Sequence, residues 1–240
     1  MKIVAGNWKM NKTNAETRAF FEEFSKTFND LDYSKVIICP SFTSLVTASE
    51  YCSKLGITLG AQNMHDAGSG AHTGEVSAGQ LKDLGVKTVL IGHSERRATG
   101  EENDFINRKV KSAITSGLTP IFCIGEPLSV REEGATENLL TWQITTGLKD
   151  IKDAKNNLIV AYEPVWAIGT GKVATLDQIR ETHAFIKKTL NSHLGHDVPL
   201  LYGGSVTDIN AQEILSIPNV DGVLVGGAAL DPQKFAKICV

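Results

Sequence analysis

The chain has 240 residues, of which 42% are hydrophobic and 21% charged, a balance that supports a buried core and excludes a disordered or fibrous protein. Its 24 basic and 27 acidic residues give a formal net charge of -3, and neither sign gathers into the long run that marks a nucleic-acid or membrane surface. We therefore expect a globular protein with no nucleic-acid partner and no membrane association.

The cysteines predict a reducing compartment. Cys39, Cys52, Cys123 and Cys239 show no C-x-x-C spacing, and Cys39 and Cys123 lie within apolar runs, a pattern that favours reduced thiols over a disulfide framework or a metal site. The sequence has no run of 18 apolar residues, and its first residues lack the pattern of a leader peptide. The expected location is therefore the cytoplasm.

Eight short apolar runs recur along the chain, and none of them alternates with polar residues. Uninterrupted runs of this kind are typical of strands that are covered on both faces of a parallel sheet. In chain order the predicted strands are Ile3–Ala5, Val36–Cys39, Ile57–Gly60, Thr88–Ile91, Pro120–Ile124, Leu158–Tyr162, Pro199–Tyr202 and Gly222–Val225.

Segments with helical periodicity separate these runs. The apolar positions are Phe20, Phe21, Phe24 and Phe28 in the first, Phe105, Ile106, Val110, Ala113 and Ile114 after the fourth strand, and Ile179, His183, Ile186 and Leu190 in a third. The third has its own start signal, because Thr175 followed by Gln178 predicts a capping box, in which two side chains satisfy free N–H groups of the first turn.

The alternation of strand and helix patterns fits either an open doubly wound sheet or a closed barrel. Eight repeats of about thirty residues favour closure. The predicted fold class is therefore α/β, a closed (β/α)8 barrel with eight parallel strands inside and helices outside. No linker or break in composition divides the chain, which predicts a single domain over residues 1–240.

Polar side chains follow several of the predicted strands. Asn7 and Lys9 follow the first strand, His93 the fourth and Glu163 the sixth. Each has an ordinary explanation by itself: a surface lysine, a hydrogen-bonded histidine, one half of an ion pair. Because barrel closure brings all carboxyl ends of the strands to one face, we expect the lysine, the histidine and the glutamate to meet there as an acid–base set.

Two glycine pairs follow the last two strands, in Gly203-Gly204-Ser205 and in Gly226-Gly227. They could be tight turns, but barrels commonly bind phosphate at this position, where backbone N–H groups approach the anion without obstruction. Two other motifs carry less weight. The Gly169–Lys172 segment is not a Walker loop, since Trp166 replaces its first glycine, and His193 with His196 more simply belongs to a solvated segment than to a metal site.

Six motifs in chain order resemble the triosephosphate isomerase family, and the resemblance spans the whole chain. They are Asn7–Asn11, Gly70–Glu75, Gly92–Arg97, Cys123–Glu126, Ala161–Lys172 and Tyr202–Ser205. The resemblance implies a TIM barrel that interconverts dihydroxyacetone phosphate and D-glyceraldehyde 3-phosphate through an enediolate, a step of glycolysis and gluconeogenesis. It implies no metal and no organic cofactor.

The family also implies roles for individual residues. Glu163 would move the proton between neighbouring carbons, and His93 would polarise the carbonyl. Lys9 would stabilise the negative charge and Asn7 would donate a hydrogen bond. Glu101 matches a further family glutamate close to Lys9 and His93. The expected substrate-binding residues are Asn7, Lys9, Gly169, Ser205, Gly226 and Gly227.

The segment Pro164–Ala174 suits a lid over this site. Pro164 stiffens one end, and Trp166 and Ile168 supply apolar cover, while Gly169 would bring a backbone N–H group to the phosphate. A carboxylate in water is a weak base at neutral pH, so a lid that excludes water favours proton abstraction. It also suppresses elimination of phosphate from the enediolate.

The long polar segment Asn63–Gly79 exceeds what a barrel loop needs. In the family this loop docks on a neighbouring subunit, which implies a homodimer in which Thr73 reaches toward the partner's site; otherwise it is a surface loop. Three features depart from the family: His72 replaces an aromatic, Ala229 replaces a frequent serine, and Ala98–Gly100 is a shortened segment.

Two other functions compete with isomerisation. A metal-dependent sugar-phosphate epimerase needs His and Asp ligands at several strand ends, where only His93 is available. A non-enzymatic scaffold on the same fold is conceivable, but it predicts the loss of Lys9, His93 or Glu163, and all three are present.

Overall fold

The strands of the computed structural model close into a parallel barrel, in which each strand pairs with the next along the chain and the eighth returns to the first. The structure describes residues 2–27, 33–151, 154, 157–168 and 172–239. The strands are β1 (Ile3–Asn7), β2 (Val36–Cys39), β3 (Thr58–Ala61), β4 (Thr88–Ile91), β5 (Thr119–Ile124), β6 (Ile159–Tyr162), β7 (Leu200–Tyr202) and β8 (Gly222–Val225). All eight predicted strands and the closed barrel are confirmed.

Helices follow the strands and form the outer layer. Within the described ranges they are α1 (Asn14–Thr27), α2 (Leu45–Leu55), α3 (Ala78–Asp83), α4 (Ser94–Ala98), α5 (Asn103–Thr115), α6 (Leu128–Glu132), α7 (Thr136–Gly147), α8 (Leu176–Leu194), α9 (Ala211–Leu215) and α10 (Pro232–Ile238). Phe28, the last position of the first helical pattern, lies outside the described residues.

The predicted capping box at the start of α8 is confirmed. Gln178 N donates to Thr175 Oγ1 over 3.2 Å, and Thr175 N donates to Gln178 Oε1 over 2.9 Å. A second capping box, at Ser77 and Gln80, starts α3, and the S-x-x-Q spacing in the sequence is its signal. Both caps satisfy N–H groups that a helix leaves free in its first turn.

Two apolar clusters explain why the strands are hydrophobic on both faces. The barrel interior holds buried side chains from all around the barrel, among them Ala5, Cys39, Leu90, Ile121 and Leu201. A larger cluster lies between strands and helices, where the rings of Phe20 and Phe24 stack at 5.5 Å. Burial on both faces stabilises each strand by removing apolar surface from water.

All four cysteines are free thiols, as expected. Cys39, Cys52 and Cys123 are buried, and burial raises the pKa of Cys52 to about 12. The thiolate is the reactive form, so these cysteines serve the packing of the core. No helix in the described part of the chain has the length and apolar character to cross a membrane.

Candidate active site

A cavity of about 410 Å³ opens at the carboxyl ends of the strands. Its walls include seven predicted site residues, namely Asn7, Lys9, His93, Glu163, Ser205, Gly226 and Gly227. Parallel strands place these residues together although up to 220 positions separate them in the sequence, because the carboxyl ends of all barrel strands share one face. The predicted Gly169 lies outside the described residues.

Glu163 follows β6 and is 3% exposed. Its Oε2 accepts a hydrogen bond from Ser94 N over 3.0 Å, and its Oε1 lies 3.0 Å from His93 Nε2. Two glycines make room for it. A Cβ on Gly125 would overlap the Glu163 carbonyl oxygen, and a Cβ on Gly203 would lie 2.9 Å from Glu163 Cγ. A buried carboxylate thus faces the cavity with two donors to hold it.

His93 caps α4, since its Nδ1 accepts a hydrogen bond from Glu95 N over 3.2 Å. A nitrogen that accepts carries no proton, so the ring proton lies on Nε2 and is donated to Glu163 Oε1. Burial lowers the pKa of His93, but the charge and hydrogen bond of Glu163 outweigh it, so the pKa is raised. The proton on Nε2 therefore points at the group that faces the cavity.

Lys9 adopts a left-handed backbone with φ 52°, an uncommon conformation for a residue with a side chain. Two hydrogen bonds hold this turn: Lys9 N donates to Asn7 Oδ1 over 3.0 Å, and Gln62 Nε2 donates to Lys9 O over 2.8 Å. Strain of this kind persists where the surroundings impose it and is common at functional sites. The turn aims the Lys9 ammonium at the cavity wall.

Glu95 is a site residue that sequence reasoning missed. Its Oε1 lies 2.6 Å from Lys9 Nζ, and its Oε2 lies 3.7 Å from His93 Nδ1. The available signal was its place two residues after His93 in the Gly92–Arg97 motif. The Glu95 carboxylate thus pairs with the ammonium from the first strand end, and the Glu95 backbone N–H donates to the imidazole from the fourth.

Glu101 was expected beside Lys9 and His93, but Glu95 makes those contacts. The structure places Glu101 in a separate ion cluster, where its Oε1 lies 2.7 Å from Arg96 Nη2 and 2.7 Å from Lys109 Nζ. Lys109 is fully buried. The Glu101 carboxylate is therefore not among the residues that line the cavity, and it binds Arg96 of α4 instead.

The opposite end of the cavity is lined by small residues. Gly226 and Gly227 begin the 3-10 helix Gly227–Leu230, and a Cβ on Gly227 would meet no atom within 4 Å. The first N–H groups of a helix have no partner inside it, so they are available to an anion. Gly204 leaves no space for a side chain, because a Cβ there would overlap the Tyr202 hydroxyl. Among the described residues no carboxylate lines this end, so its chemistry suits a phosphate.

The described part of the predicted lid is anchored on Glu126, which is fully buried. Trp166 Nε1 donates to Glu126 Oε1 over 2.9 Å, and Val165 N donates to Glu126 O over 3.1 Å. Ser205 Oγ donates to Ala167 O over 2.6 Å. The segment predicted to form the lid thus begins at the buried Glu126 and contacts the cavity wall through Ser205.

No group of three histidine, cysteine, aspartate or glutamate side chains in the described ranges is arranged to hold a metal ion. The fold and the cavity define a class, that of (β/α)8 barrel enzymes with an acid–base centre beside an anion-binding end.

Comparison with known proteins narrows this class to one family. The family model described as triosephosphate isomerase matches residues 2–240. A triosephosphate isomerase from Carboxydothermus hydrogenoformans is 46% identical, and the match covers 98% of this chain and 96% of the relative. One from Flavobacterium psychrophilum is 47% identical, covering 99% and 97%, and one from Chlamydia trachomatis is 48% identical, covering 99% and 88%.

The chain belongs to the triosephosphate isomerase family, and it is an aldose–ketose isomerase. The resemblance inferred from the six motifs is confirmed.

Proposed function

We propose that this protein interconverts dihydroxyacetone phosphate and D-glyceraldehyde 3-phosphate through an enediolate, and that residues 1–240 act as one catalytic domain. The observation that carries the proposal is the buried pair of Glu163 and His93, with Nε2 and Oε1 3.0 Å apart, in a cavity that also contains Lys9 and a glycine-lined end.

Glu163 is the proposed base. It removes a proton from C1 of dihydroxyacetone phosphate, and the C1–H electron pair forms the enediolate. The same carboxyl group then returns the proton to C2, so no net proton is gained or lost. Its burial supports this role, because exclusion of water removes the solvation that makes a carboxylate a weak base.

His93 is the proposed hydrogen-bond donor to the substrate oxygens. Its Nδ1 accepts from Glu95 N, so its one ring proton lies on Nε2, where it is donated to Glu163 Oε1 in this structure. With substrate bound, this proton turns to the substrate oxygens, polarises the carbonyl and moves between the two oxygens of the enediolate. Lys9 places positive charge where negative charge develops, and Asn7 donates a hydrogen bond to the same region. Glu101 acts indirectly, by holding Arg96 and the α4 segment.

The glycine-lined end binds the phosphate. The donors are the backbone N–H groups of Gly226 and Gly227 and that of the predicted Gly169. The Ser205 hydroxyl donates to Ala167 O in this structure and becomes a further donor when it turns from that oxygen to the phosphate. Closure of the Pro164–Ala174 lid excludes water during the reaction. The contact of Ser205 with Ala167 supports a link between lid position and phosphate binding.

A homodimer through the loop Asn63–Gly79, with Thr73 reaching the partner's site, is part of the proposal. An exposed apolar side chain beside the loop supports it. Gln62, directly before the loop, donates to Lys9 O, and the next residue, Met10, is 96% exposed. A monomeric mass by light scattering at micromolar concentration would contradict the dimer.

We propose that the enzyme is cytoplasmic and works without a metal or organic cofactor. Full activity after exhaustive chelation is the expected result, whereas a loss that added divalent metal restores would support the epimerase-type alternative.

The decisive experiment is a coupled isomerase assay on the wild type and Glu163→Gln. The variant keeps the shape of the side chain and loses the base, so we expect the rate to fall by at least about 10²-fold. Glu137→Gln, an exposed carboxylate on α7, is the matched control and should keep the wild-type rate. Comparable rates in Glu163→Gln and the wild type would refute the assignment.

A further inference from the structure

Two imidazoles in direct contact join the two halves of the loop between β3 and α3. The ring centroids of His65 and His72 lie 4.0 Å apart with an interplanar angle of 31°, and Phe105 of α5 packs edge-on against His65 at 5.6 Å. Both histidines line a cavity of about 260 Å³ within the loop. The contact between the two rings therefore joins the two halves of the loop, and the cavity beside it has room for water.

His65 Nδ1 has two neighbours that cannot both be satisfied. Ala67 N donates a hydrogen bond to it over 3.0 Å, and Asp66 Oδ1 lies 3.1 Å away. An unprotonated Nδ1 accepts from the Ala67 amide, while a protonated Nδ1 donates to the Asp66 carboxylate instead. Gain of a proton thus exchanges one loop contact for another.

The charges around the pair come from the loop and from α5. Asp66 pairs with Arg108 Nε over 2.8 Å, and Glu75 lines the same cavity as the histidines. Arg108 and Lys109 lie over the Phe105 ring at 5.1 and 4.4 Å. Lys109 is itself paired with Glu101, so Asp66 and Glu75 face Arg108 when the imidazoles are neutral, and the second of two ring protons leaves an excess of positive charge.

We propose that the His65–His72 pair is an acid-sensitive clasp of the β3–α3 loop. Neutral rings keep the loop closed, with the Ala67 amide bonded to His65. Imidazole is the side chain that gains a proton in mild acid, and a proton on His65 moves its Nδ1 from Ala67 to Asp66. A proton on His72 then puts two positive charges on rings whose centroids lie 4.0 Å apart, and the loop opens. Weakening of the dimer follows, and this last step rests on the proposed function.

Nuclear magnetic resonance tests the clasp directly. The Ala67 amide and the two imidazole rings are followed from pH 8 to pH 5 in the wild type and in His72→Phe, which keeps a stacking ring without the charge. In the wild type we expect the signals of each ring to respond to protonation of the other. We also expect the Ala67 amide, corrected for intrinsic exchange, to exchange about tenfold faster at pH 5.5 than in His72→Phe.

Two further variants complete the design. His193→Gln removes an exposed histidine at the end of α8 and should titrate like the wild type in the loop. His72→Asn replaces His72→Phe if the phenylalanine does not fold. Independent ring titrations, or equal Ala67 exchange in the wild type and the His72 variant, would overturn the clasp.

Light scattering across the same pH range separates the two proposals. A dimer at pH 7.5 that dissociates at a higher pH in the wild type than in His72→Phe supports the step to the subunit contact. A monomer at every pH contradicts the proposed dimer and with it that step, while the Ala67 amide still decides the clasp.

Discussion

Replacement of Glu101 by glutamine separates a structural role of this carboxylate from a chemical one. Glu101 Oε1 accepts from Arg96 Nε and from Lys109 Nζ, both over 2.7 Å. Burial lowers the pKa of Lys109 although Glu101 opposes this, so the ammonium depends on its partner. In Glu101→Gln the carbonyl oxygen keeps both hydrogen bonds, but the buried ammonium loses its counter-charge.

We expect Glu101→Gln to lower the free energy of unfolding by about 3 kcal/mol, the low end for a broken buried ion pair, because an acceptor remains and Arg96 is partly exposed. For a chain of this size that corresponds to a fall in Tm of about 6–12 °C. The catalytic rate should fall by less than about tenfold, since Glu95 and not Glu101 contacts Lys9.

Urea unfolding and the coupled isomerase assay measure these two effects on the same samples. Glu102→Gln, the exposed neighbouring carboxylate, is the control and should change neither. Adding Lys109→Met to Glu101→Gln removes the unpaired ammonium and should restore part of the stability. If Glu101→Gln is as stable as Glu102→Gln but loses activity 10²-fold, the structural interpretation is wrong and Glu101 takes part in the chemistry.

Three other predictions follow from the site and its support. Burial lowers the pKa of His183 to about 4, so between that value and about 6.5 protons bind the unfolded chain better than the folded one. The free energy of unfolding should have its full value above pH 6.5 and fall by about 3 kcal/mol toward pH 4. The fall should be smaller in His183→Gln, and urea titration at each pH measures it. Gly204→Ala places a Cβ against the Tyr202 hydroxyl and should cost about 1–3 kcal/mol and raise KM for the triose phosphate; an unchanged melting curve and KM would contradict the close packing. Glu95→Gln weakens a charged contact with Lys9 and should lower kcat/KM by about tenfold, while Glu137→Gln leaves it unchanged. Equal kcat/KM values in the two variants would show that Glu95 has no part in the reaction.

The sequence alone determined the eight strands, the capping box at Thr175 and the place of Lys9, His93 and Glu163 at strand ends. Each of these depends on short-range information. Apolar runs and helical periodicity follow from the neighbours along the chain, and a closed parallel barrel gathers the strand ends at one face whatever the intervening loops are.

Only the tertiary structure decided which carboxylate reaches Lys9. Glu95 and Glu101 both follow β4, and α4 directs the first toward the cavity and leaves the second against the buried Lys109 of α5. The contact between the His65 and His72 rings likewise depends on the path of the loop and on Phe105. Contacts of this kind join side chains from separate elements, and no local pattern encodes the directions in which those side chains meet.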